Sequence, residues 1–319
     1  MLTYVLSRIK SSIVVLFVVS VITFFVLMII PGNPAQLILG TDATAEMVAD
    51  LTESMGLNKP LYQQYLGWLL DLLKLDMGTS YVYGEEVTRL IIRSIPVTIS
   101  ISIFAMAIAV FIAFIFGTIA AIKKNSIIDY FSRSIMQLGV AIPSFWIGMV
   151  FIVYFGMKLR IFPVSGYVPI NENFLNSLKS IILPSVVLAI GELGTLLRIV
   201  RSSMLDSLKQ DYMDMAKVKG LSAGKIYIKY ALRGALTAPL TIIGMQFAKL
   251  AGGTVVVETI FALPGLGRLV LTAVEHRDII LLQGLVMFIT ASVIFITLIV
   301  DILIMFINPR IKSFQQGEL

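Results

Sequence analysis

Residues 97–122, VTISISIFAMAIAVFIAFIFGTIAAI, contain no charged side chain. A helix needs about 20 apolar residues to cross the hydrocarbon core of a bilayer, so this stretch predicts a membrane-spanning helix. The composition of the whole chain agrees, because 58% of its 319 residues are hydrophobic and 14% are charged, whereas soluble domains carry about 25% charged residues. The sequence therefore predicts an all-α membrane protein with several spans.

Five further apolar runs have lengths near that of a membrane span. With the first they give six predicted transmembrane helices, at residues 11–30, 97–122, 135–157, 181–197, 235–261 and 281–307. Arg8 and Lys10 precede the first run, as basic residues do in a signal peptide. That run is longer than the usual apolar stretch of a signal peptide and no convincing small-residue cleavage site follows, so we expect it to be retained.

The distribution of charge predicts the orientation in the membrane. One set of segments between the runs holds 15 basic and five acidic residues: 1–10, 123–134, 198–234 and 308–319. The other set holds nine basic and twelve acidic residues: 31–96, 158–180 and 262–280, with Glu258 at the membrane edge. Because Lys and Arg are in excess in cytoplasmic loops, both termini are expected inside the cell. The net charge of +6 is then a consequence of membrane orientation, and no nucleic-acid partner is needed to explain it.

The longest external segment, 31–96, predicts two amphipathic helices. One covers residues 44–57 and stops at Gly56; the other covers 60–78, with proline in its first turn and Trp68 available for an interfacial position. A small cap over the helices and a docking surface for an external partner explain this segment equally well.

The sequence lacks the residues for an autonomous ATP-driven pump or for an enzyme. It contains no G-x-x-x-x-G-K-[ST] phosphate loop, no cysteine and one histidine, His276. No set of nucleophile and base and no metal-ligand spacing is present, so we expect no catalytic residue, no metal site and no cofactor in this chain. It is then either a secondary transporter or channel, or one subunit of a larger assembly.

The segment 198–234 carries the most informative pattern. Residues 202–219 predict one helix, Gly220 supplies a left-handed residue to end it, and Ser222 can cap a second helix over 223–233. Contact with anionic lipid would explain the lysines of this segment. It would not explain the spacing Ala216-x-x-x-Gly220, which predicts a bare patch that another protein can approach closely.

Asp214-Met215-Ala216-x-x-x-Gly220 resembles the E-A-A-x-x-x-G signature of the membrane subunits of bacterial ABC importers, with aspartate and methionine in its first two positions. Asp211-Tyr212 and Ala231-Leu232-Arg233 are similar to the same loop in the dipeptide, oligopeptide and nickel permeases. Motifs similar to that branch run through most of the chain: PGNP (31–34), GLNKP (56–60), QQY (63–65), GTS (78–80), PSFW (143–146), FPVSGY (162–167), VETIF (257–261), PGLGR (264–268) and NPR (308–310).

The resemblance implies the type I ABC importer permease fold, in the bacterial inner membrane, with an N-terminal segment of residues 1–96 and a core of residues 97–319. It also implies a second, homologous permease subunit, an extracellular solute-binding protein, and two ATPase subunits that bind ATP and Mg. The residues that it assigns to ATPase coupling are Asp211, Asp214, Met215, Ala216, Lys219, Gly220, Leu221 and Ser222.

Ionisable residues within the apolar runs are candidates for the translocation path. Glu192, Lys249 and Asp301 are costly in hydrocarbon and must face protein or water; we give Asp301 little weight. Lys249 either meets a substrate carboxylate or pairs with Glu192 or with the second permease, and pairing is favoured. Further candidates for path or gate are Gln246, the pair Gly252 and Gly253, which also suits close helix packing, and the turn at Pro264 and Gly265.

The predicted function is that of a permease subunit of a peptide importer. An importer of nickel or a metal chelate shares the same motifs and stays an alternative. A secondary transporter is the alternative from a different class; it predicts an inverted repeat, and the two halves of the sequence show no convincing one.

Overall fold

The computed structural model describes residues 2–29, 34–40, 43–54, 56–252 and 254–307, and the described residues are helical with turns between the helices. A single isolated antiparallel bridge joins Thr79 and Glu86. The helices are α1 (Leu2–Ile29), α2 (Pro34–Leu39), α3 (Ala45–Ser54), α4 (Leu61–Leu73), α5 (Val87–Ile122), α6 (Ile127–Ala141), α7 (Ser144–Phe151), α8 (Phe174–Leu208), α9 (Asp211–Val218), α10 (Ala223–Lys225), α11 (Arg233–Ala235), α12 (Thr237–Ala251), α13 (Val255–Ile260), α14 (Leu266–Glu275) and α15 (Ile279–Ile307). Two π-helical stretches, Ile152–Lys158 and Ile226–Leu232, follow α7 and α10.

The chain divides into two compact units. The first comprises Met1–Pro96 with Gly265–Ser292, and the second comprises Val97–Pro264 with Val293–Leu319. Helices α5 and α15 each contribute to both units, because the divisions after Pro96 and after Ser292 fall inside them.

Aromatic packing joins α1 and α4 in the first unit. Phe24 of α1 is buried and its ring centroid lies 5.4 Å from that of Tyr65 and 5.8 Å from that of Trp68 on α4. The hydroxyl groups of Ser20 and Tyr65 are 2.9 Å apart. Trp68 therefore packs on the first helix, and the two helices predicted for the external segment are confirmed, although both are shorter than predicted, by up to five residues at one end.

A carboxylate fixes the start of α15 in the same unit. Asp278 is fully buried, accepts a 2.6 Å hydrogen bond from the Ser80 hydroxyl and accepts another from the backbone N–H of Leu281. It thereby satisfies one of the unpaired N–H groups in the first turn of α15. Behind it lies an apolar core of Val87, Leu90, Ile91, Leu266, Leu269, Ala273, Leu281 and Leu285.

The second unit is organised around α8, a helix of 35 residues. Its largest apolar cluster joins residues of α5, α7, α8, α12 and α13, including Ile101, Val187 and Phe261. Helix α6 crosses α8 closely, since a Cβ built on Gly139 would lie 2.9 Å from the carbonyl oxygen of Ile190. Small residues permit such close crossings of membrane helices.

Among the described residues, four helices are long and apolar enough to cross a membrane by themselves: Leu6–Val26, Val87–Ile122, Phe174–Leu208 and Ile279–Ile304. A fifth span is obtained if Ile127–Gly139 and Ser144–Lys158, which are bent by 100°, count as one. The four single helices correspond to the predicted first, second, fourth and sixth spans. The bent pair corresponds to the predicted third span.

Two predicted spans are not single continuous helices. The third breaks at Pro143, because the residue before a proline is disfavoured in the α conformation, and Ile142 is extended with ψ 124°. The fifth divides into α12 and α13 at Gly252, where glycine has low helix propensity. At 1.5 Å per residue α12 is about 22 Å long, shorter than the hydrocarbon core.

Candidate functional site

The segment predicted to couple the chain to a partner, 198–234, contains the end of α8, then α9, and then the helical run from α10 to α11. A break separates α9 from α8. Helix α8 ends at Leu208, Gln210 is extended with ψ 145°, and α9 begins at Asp211. The single helix predicted over 202–219 is therefore wrong, since one helix cannot contain an extended residue. We call residues 211–222, which comprise α9 and the turn after it, the elbow.

Gly220 ends α9 as predicted, in the left-handed conformation with φ +68°. Its N–H donates to the carbonyl of Lys217 at 2.9 Å, and the N–H of Leu221 donates to the carbonyl of Ala216 at 3.3 Å. These two bonds define a Schellman motif. Ser222 has the extended backbone of an N-cap residue, but its side chain makes no capping hydrogen bond.

The bare patch predicted from Ala216 and Gly220 is wrong, because Ala216 faces inward and is only 4% exposed. Ala216 instead supplies the carbonyl that the Schellman motif requires, and it packs in a core with Met204, Met213, Ile226 and Ala231. The four-residue spacing thus reflects how α9 ends and how it is held, rather than an open surface.

The elbow is anchored to the helices on both sides of it. The Ser207 hydroxyl of α8 donates to the carbonyl of Ala231 at 2.8 Å and lies 2.8 Å from the Tyr212 hydroxyl of α9. A Cβ on Gly234 would come within 2.7 Å of the Ser207 oxygen, so the three segments are packed without spare room. The Ser207–Ala231 bond is buried and the Ser207–Tyr212 contact is partly buried, so α9 is packed against both neighbouring segments.

The outward side of the elbow combines apolar and charged groups. Met215 is 59% exposed and Val218 is 89% exposed, one helical turn apart on the same face. Asp214 and Lys217 form an exposed pair with an N···O distance of 2.8 Å. A cavity of about 390 Å³ lies beside these residues, lined by Asp211, Tyr212, Met215, Ala216, Lys219, Leu221 and Tyr230. The α9 face therefore offers apolar side chains that a partner can bury.

The predicted intrachain pair within the apolar runs is present. Lys249 of α12 places its Nζ 3.0 Å from Oε1 of Glu192 on α8. One turn earlier, the Gln246 side-chain amide donates to the backbone carbonyl of Glu192 at 3.1 Å. Both bonds fix α12 against α8 at the same level.

The other predicted path residues lie at the ends of helices. Gly252 is the C-cap of α12, and a Cβ on it would meet Val293 at 3.1 Å. Gly253 lies outside the described residues. Pro264 is exposed, and Gly265 is the N-cap of α14 with its carbonyl accepting from Leu269.

Sequence reasoning missed an ion-pair network near the start of α6. Asp129 is fully buried and its carboxylate oxygens lie 2.6 Å from Nε of Arg201 and 2.7 Å from a guanidinium nitrogen of Arg133. The local signal was Ser126, which caps α6 by accepting from the Asp129 N–H. The distant partner on α8 left no signal, since Arg201 follows Asp129 by 72 residues.

Sequence reasoning also left the role of Glu258 open. Its carboxylate is fully buried and accepts hydrogen bonds from Thr98 at 2.7 Å and Thr254 at 2.8 Å. Glu258, which the sequence places at the membrane edge for charge counting, has a buried side chain that joins α5 to α13.

Long apolar helices and an exposed elbow after α8 are the features of a membrane protein with several spans. The family described as "Binding-protein-dependent transport system inner membrane component" matches residues 113–313, and the N-terminal region described for the same kind of membrane component matches residues 1–102. The chain belongs to this family of ABC importer permeases and is a multi-pass protein of the bacterial inner membrane.

Full-length relatives support the same family. The chain is 38% identical over 312 residues to a protein of Brucella abortus (strain 2308) named as a peptide transport system permease, covering 98% of this chain and 99% of the relative. It is 35% identical over 332 residues to the dipeptide transport system permease protein DppB of Alkalihalophilus pseudofirmus, with 98% and 100% covered. It is 33% identical over 333 residues to the di/tripeptide transport system permease protein DppB of Pseudomonas aeruginosa, with 98% and 99% covered.

Proposed function

We propose that this chain is one of two homologous permease subunits of an ABC importer for di- or oligopeptides. An extracellular binding protein delivers the peptide, and two ATPase subunits, which bind ATP and Mg, drive its passage. This chain itself binds no cofactor and carries no catalytic residue. The elbow carries the proposal, because it is a rigid, outward-facing helix on a chain whose family works with other ABC components.

Relatives named for peptide transport favour a peptide as the substrate. The three relatives described above share at least 33% identity with this chain along nearly its whole length. A nickel or metal-chelate importer is not favoured by these names. A secondary transporter working alone is the remaining alternative, and it predicts transport without any ATPase.

We propose a topology of six spans with both termini in the cytoplasm. The excess of Lys and Arg in the segments 1–10, 123–134, 198–234 and 308–319 supports this orientation. Helix α12, the break after it and α13 would together form an interrupted fifth span. Non-helical backbone at membrane depth is tolerated where it is buried in protein or lines a water-filled cavity, which favours an interior position for this break. Residues 1–96 are then an addition to the core permease of 97–319.

In this topology the elbow lies in the cytoplasm and docks on an ATPase subunit. Movement of the ATPase is transmitted because α9 is anchored to α8 and to the helix leading into α12. A rigid element that shifts as one body must tilt the spans attached to it. Asp211, Asp214, Met215, Ala216, Lys219, Gly220, Leu221 and Ser222 are proposed to form or support this docking surface.

Truncation of the exposed apolar side chains of the elbow tests the proposal. Met215→Ser with Val218→Ser removes two side chains that a partner would bury, each worth about 1.5 kcal/mol or more, so ATPase binding should weaken by about a hundredfold. Ile127→Ser is the matched control, because Ile127 is 87% exposed on α6 and lies outside the elbow. The measurements are co-purification with the ATPase subunits and peptide-stimulated ATP hydrolysis.

Two outcomes contradict the proposal. If the double variant keeps its ATPase partners and its full stimulated hydrolysis, the elbow is not the docking surface. If the unaltered permease transports peptide without any ATPase subunit, the class of transporter is wrong.

A further inference from the structure

The ion pair of Lys249 and Glu192 is unequally exposed. The Glu192 side chain is 11% exposed, whereas the Lys249 side chain is 74% exposed. Lys249 also lies about 18 Å along α12 from its first residue, well inside the predicted fifth span. A cation at that depth cannot face lipid without a large cost, so it faces water or protein.

Helix α8 presents a polar surface next to this pair. Five exposed residues recur there at intervals of three or four, which places them on one face of the helix. They are Gly191, Thr195, Arg198, Ser202 and Asp206. A Cβ on Gly191 would meet nothing within 4 Å. We call these five residues the polar stripe; it is about 22 Å long.

The polar stripe is unlike a surface made for lipid. The exposed side chains of α1 include Ile13, Val14 and Phe17, as expected for contact with acyl chains. From Gly191 to Leu197, the last part of the predicted fourth span, no large hydrophobic side chain is exposed, by contrast. The stripe begins beside Glu192 inside the predicted fourth span, and its last three residues lie in the segment 198–234 that is proposed to be cytoplasmic. It therefore suits one wall of a polar path that leads from Lys249 to the cytoplasm.

A second contact of α12 fixes the backbone beside the Lys249–Glu192 pair. Gln246 is 7% exposed, and its amide nitrogen donates to the Glu192 carbonyl, while its amide oxygen is buried without a hydrogen-bond partner among the described residues. Glu192 neutralises the cation in the absence of other anions, yet leaves most of the side chain accessible. An incoming carboxylate can therefore approach Lys249 without disturbing the helix packing.

We propose that Lys249 binds the C-terminal carboxylate of the peptide during its passage, exchanging its contact with Glu192 for one with the substrate. This inference rests on the proposed peptide-import function. Lys249 would be a substrate-binding residue, and Glu192 and Gln246 would position it. No covalent step is involved; a charge-assisted contact inside the chain is replaced by one of the same kind with the peptide.

The test compares trialanine with trialanine amide, which lacks the terminal carboxylate. The complete importer, with both permeases, the ATPases and the binding protein, is reconstituted in vesicles, and uptake of each peptide is measured for the unaltered protein and for Lys249→Met. The binding protein has the same preference between the two peptides whether the permease is unaltered or Lys249→Met. That preference therefore cancels when the ratio of trialanine uptake to amide uptake is compared between the two permeases, as in a double-mutant cycle. Uptake of trialanine should fall by about tenfold or more relative to uptake of the amide, the value of a hydrogen bond between charged groups.

Two variants separate binding from assembly. Lys249→Arg keeps the cation and should retain most of the preference for the free carboxylate. Lys124→Met removes an exposed lysine in the turn before α6 and should leave uptake of both peptides unchanged. Co-purification of each variant with its partners confirms that the importer is assembled.

Three results would overturn the inference. Equal losses for the peptide and its amide, or no loss for either, would mean that Lys249 does not bind the carboxylate. Loss of the second permease from the Lys249→Met preparation would assign Lys249 to the subunit interface. If the assembled, unaltered importer takes up neither substrate, the proposed peptide-import function is itself wrong. The first two results would contradict only the role of Lys249 and would leave the proposed function intact.

Discussion

Substitution of Gly220 tests whether the elbow works through its backbone conformation or through the space around it. Gly220 has φ +68°, and a Cβ built on it would meet no atom within 4 Å, so an added side chain collides with nothing in this chain. The remaining cost is that of holding an L-residue in the left-handed region, about 1–2 kcal/mol. Asparagine tolerates that region, and a β-branched residue such as valine does so least. A cost of this size shifts the equilibrium between the closed elbow and its opened forms by about 5- to 30-fold.

The assay is peptide-stimulated ATP hydrolysis by the reconstituted importer for Gly220→Asn, Gly220→Ala and Gly220→Val. We expect activity to fall in that order, with asparagine close to the unaltered protein and valine lowest, while all three still insert and assemble. Asparagine and valine have side chains of similar bulk, so they separate conformation from volume. Equal losses for these two variants would show that the partner needs free space at Gly220. Full stimulation in Gly220→Val would refute the idea that the Schellman motif matters for coupling.

Changes elsewhere in the chain test the packing described above. Asp129→Ala leaves Arg201, whose side chain is only 16% exposed, without its carboxylate and should lower the free energy of unfolding by about 3–5 kcal/mol, seen as a lower melting temperature in detergent; an unchanged melting temperature would contradict the buried network. Gly139→Ala pushes a Cβ against α8 backbone atoms, which cannot rotate away, and should cost about 1–3 kcal/mol in the same measurement, whereas Gly224→Ala, with open space around it, should not. Asp278→Ala removes the acceptor of the Ser80 hydroxyl and should speed limited proteolysis within residues 76–86; unchanged cleavage would mean that this loop is held by other contacts.

The apolar runs could be predicted from the sequence, but the breaks within them could not. Pro96 and Pro184 lie inside the continuous helices α5 and α8, whereas Pro143 separates α6 from α7. Membrane helices tolerate proline when neighbouring groups satisfy the freed carbonyl, so the outcome at each proline depends on tertiary contacts. The residue type alone does not distinguish these cases.

The site shows the same division between local and distant information. The left-handed conformation of Gly220 follows from its place after a helix, and the pairing of Lys249 with Glu192 follows from the cost of charges in hydrocarbon. The inward direction of Ala216 depends on where α9 begins, and no proline or glycine marks the break at Gln210. The Asp129–Arg201 pair joins residues far apart in sequence, and only the packing of α6 on α8 brings them together.

The π-helical stretch Ile226–Leu232 has a consequence for the rotational phase of the chain between the elbow and Lys249. Ile226 and Ala231 are both buried although they are five residues apart. At 100° per residue, an α-helix would point them about 140° apart, but the i→i+5 turn of a π-helix brings them back to one side. The π-helical stretch therefore accommodates one residue more per turn than an α-helix would. The faces of α12 keep their orientation despite that extra residue. The direction in which Lys249 points depends on the number of residues between the elbow and α12. The length of this part of the chain is therefore as constrained as its residue types.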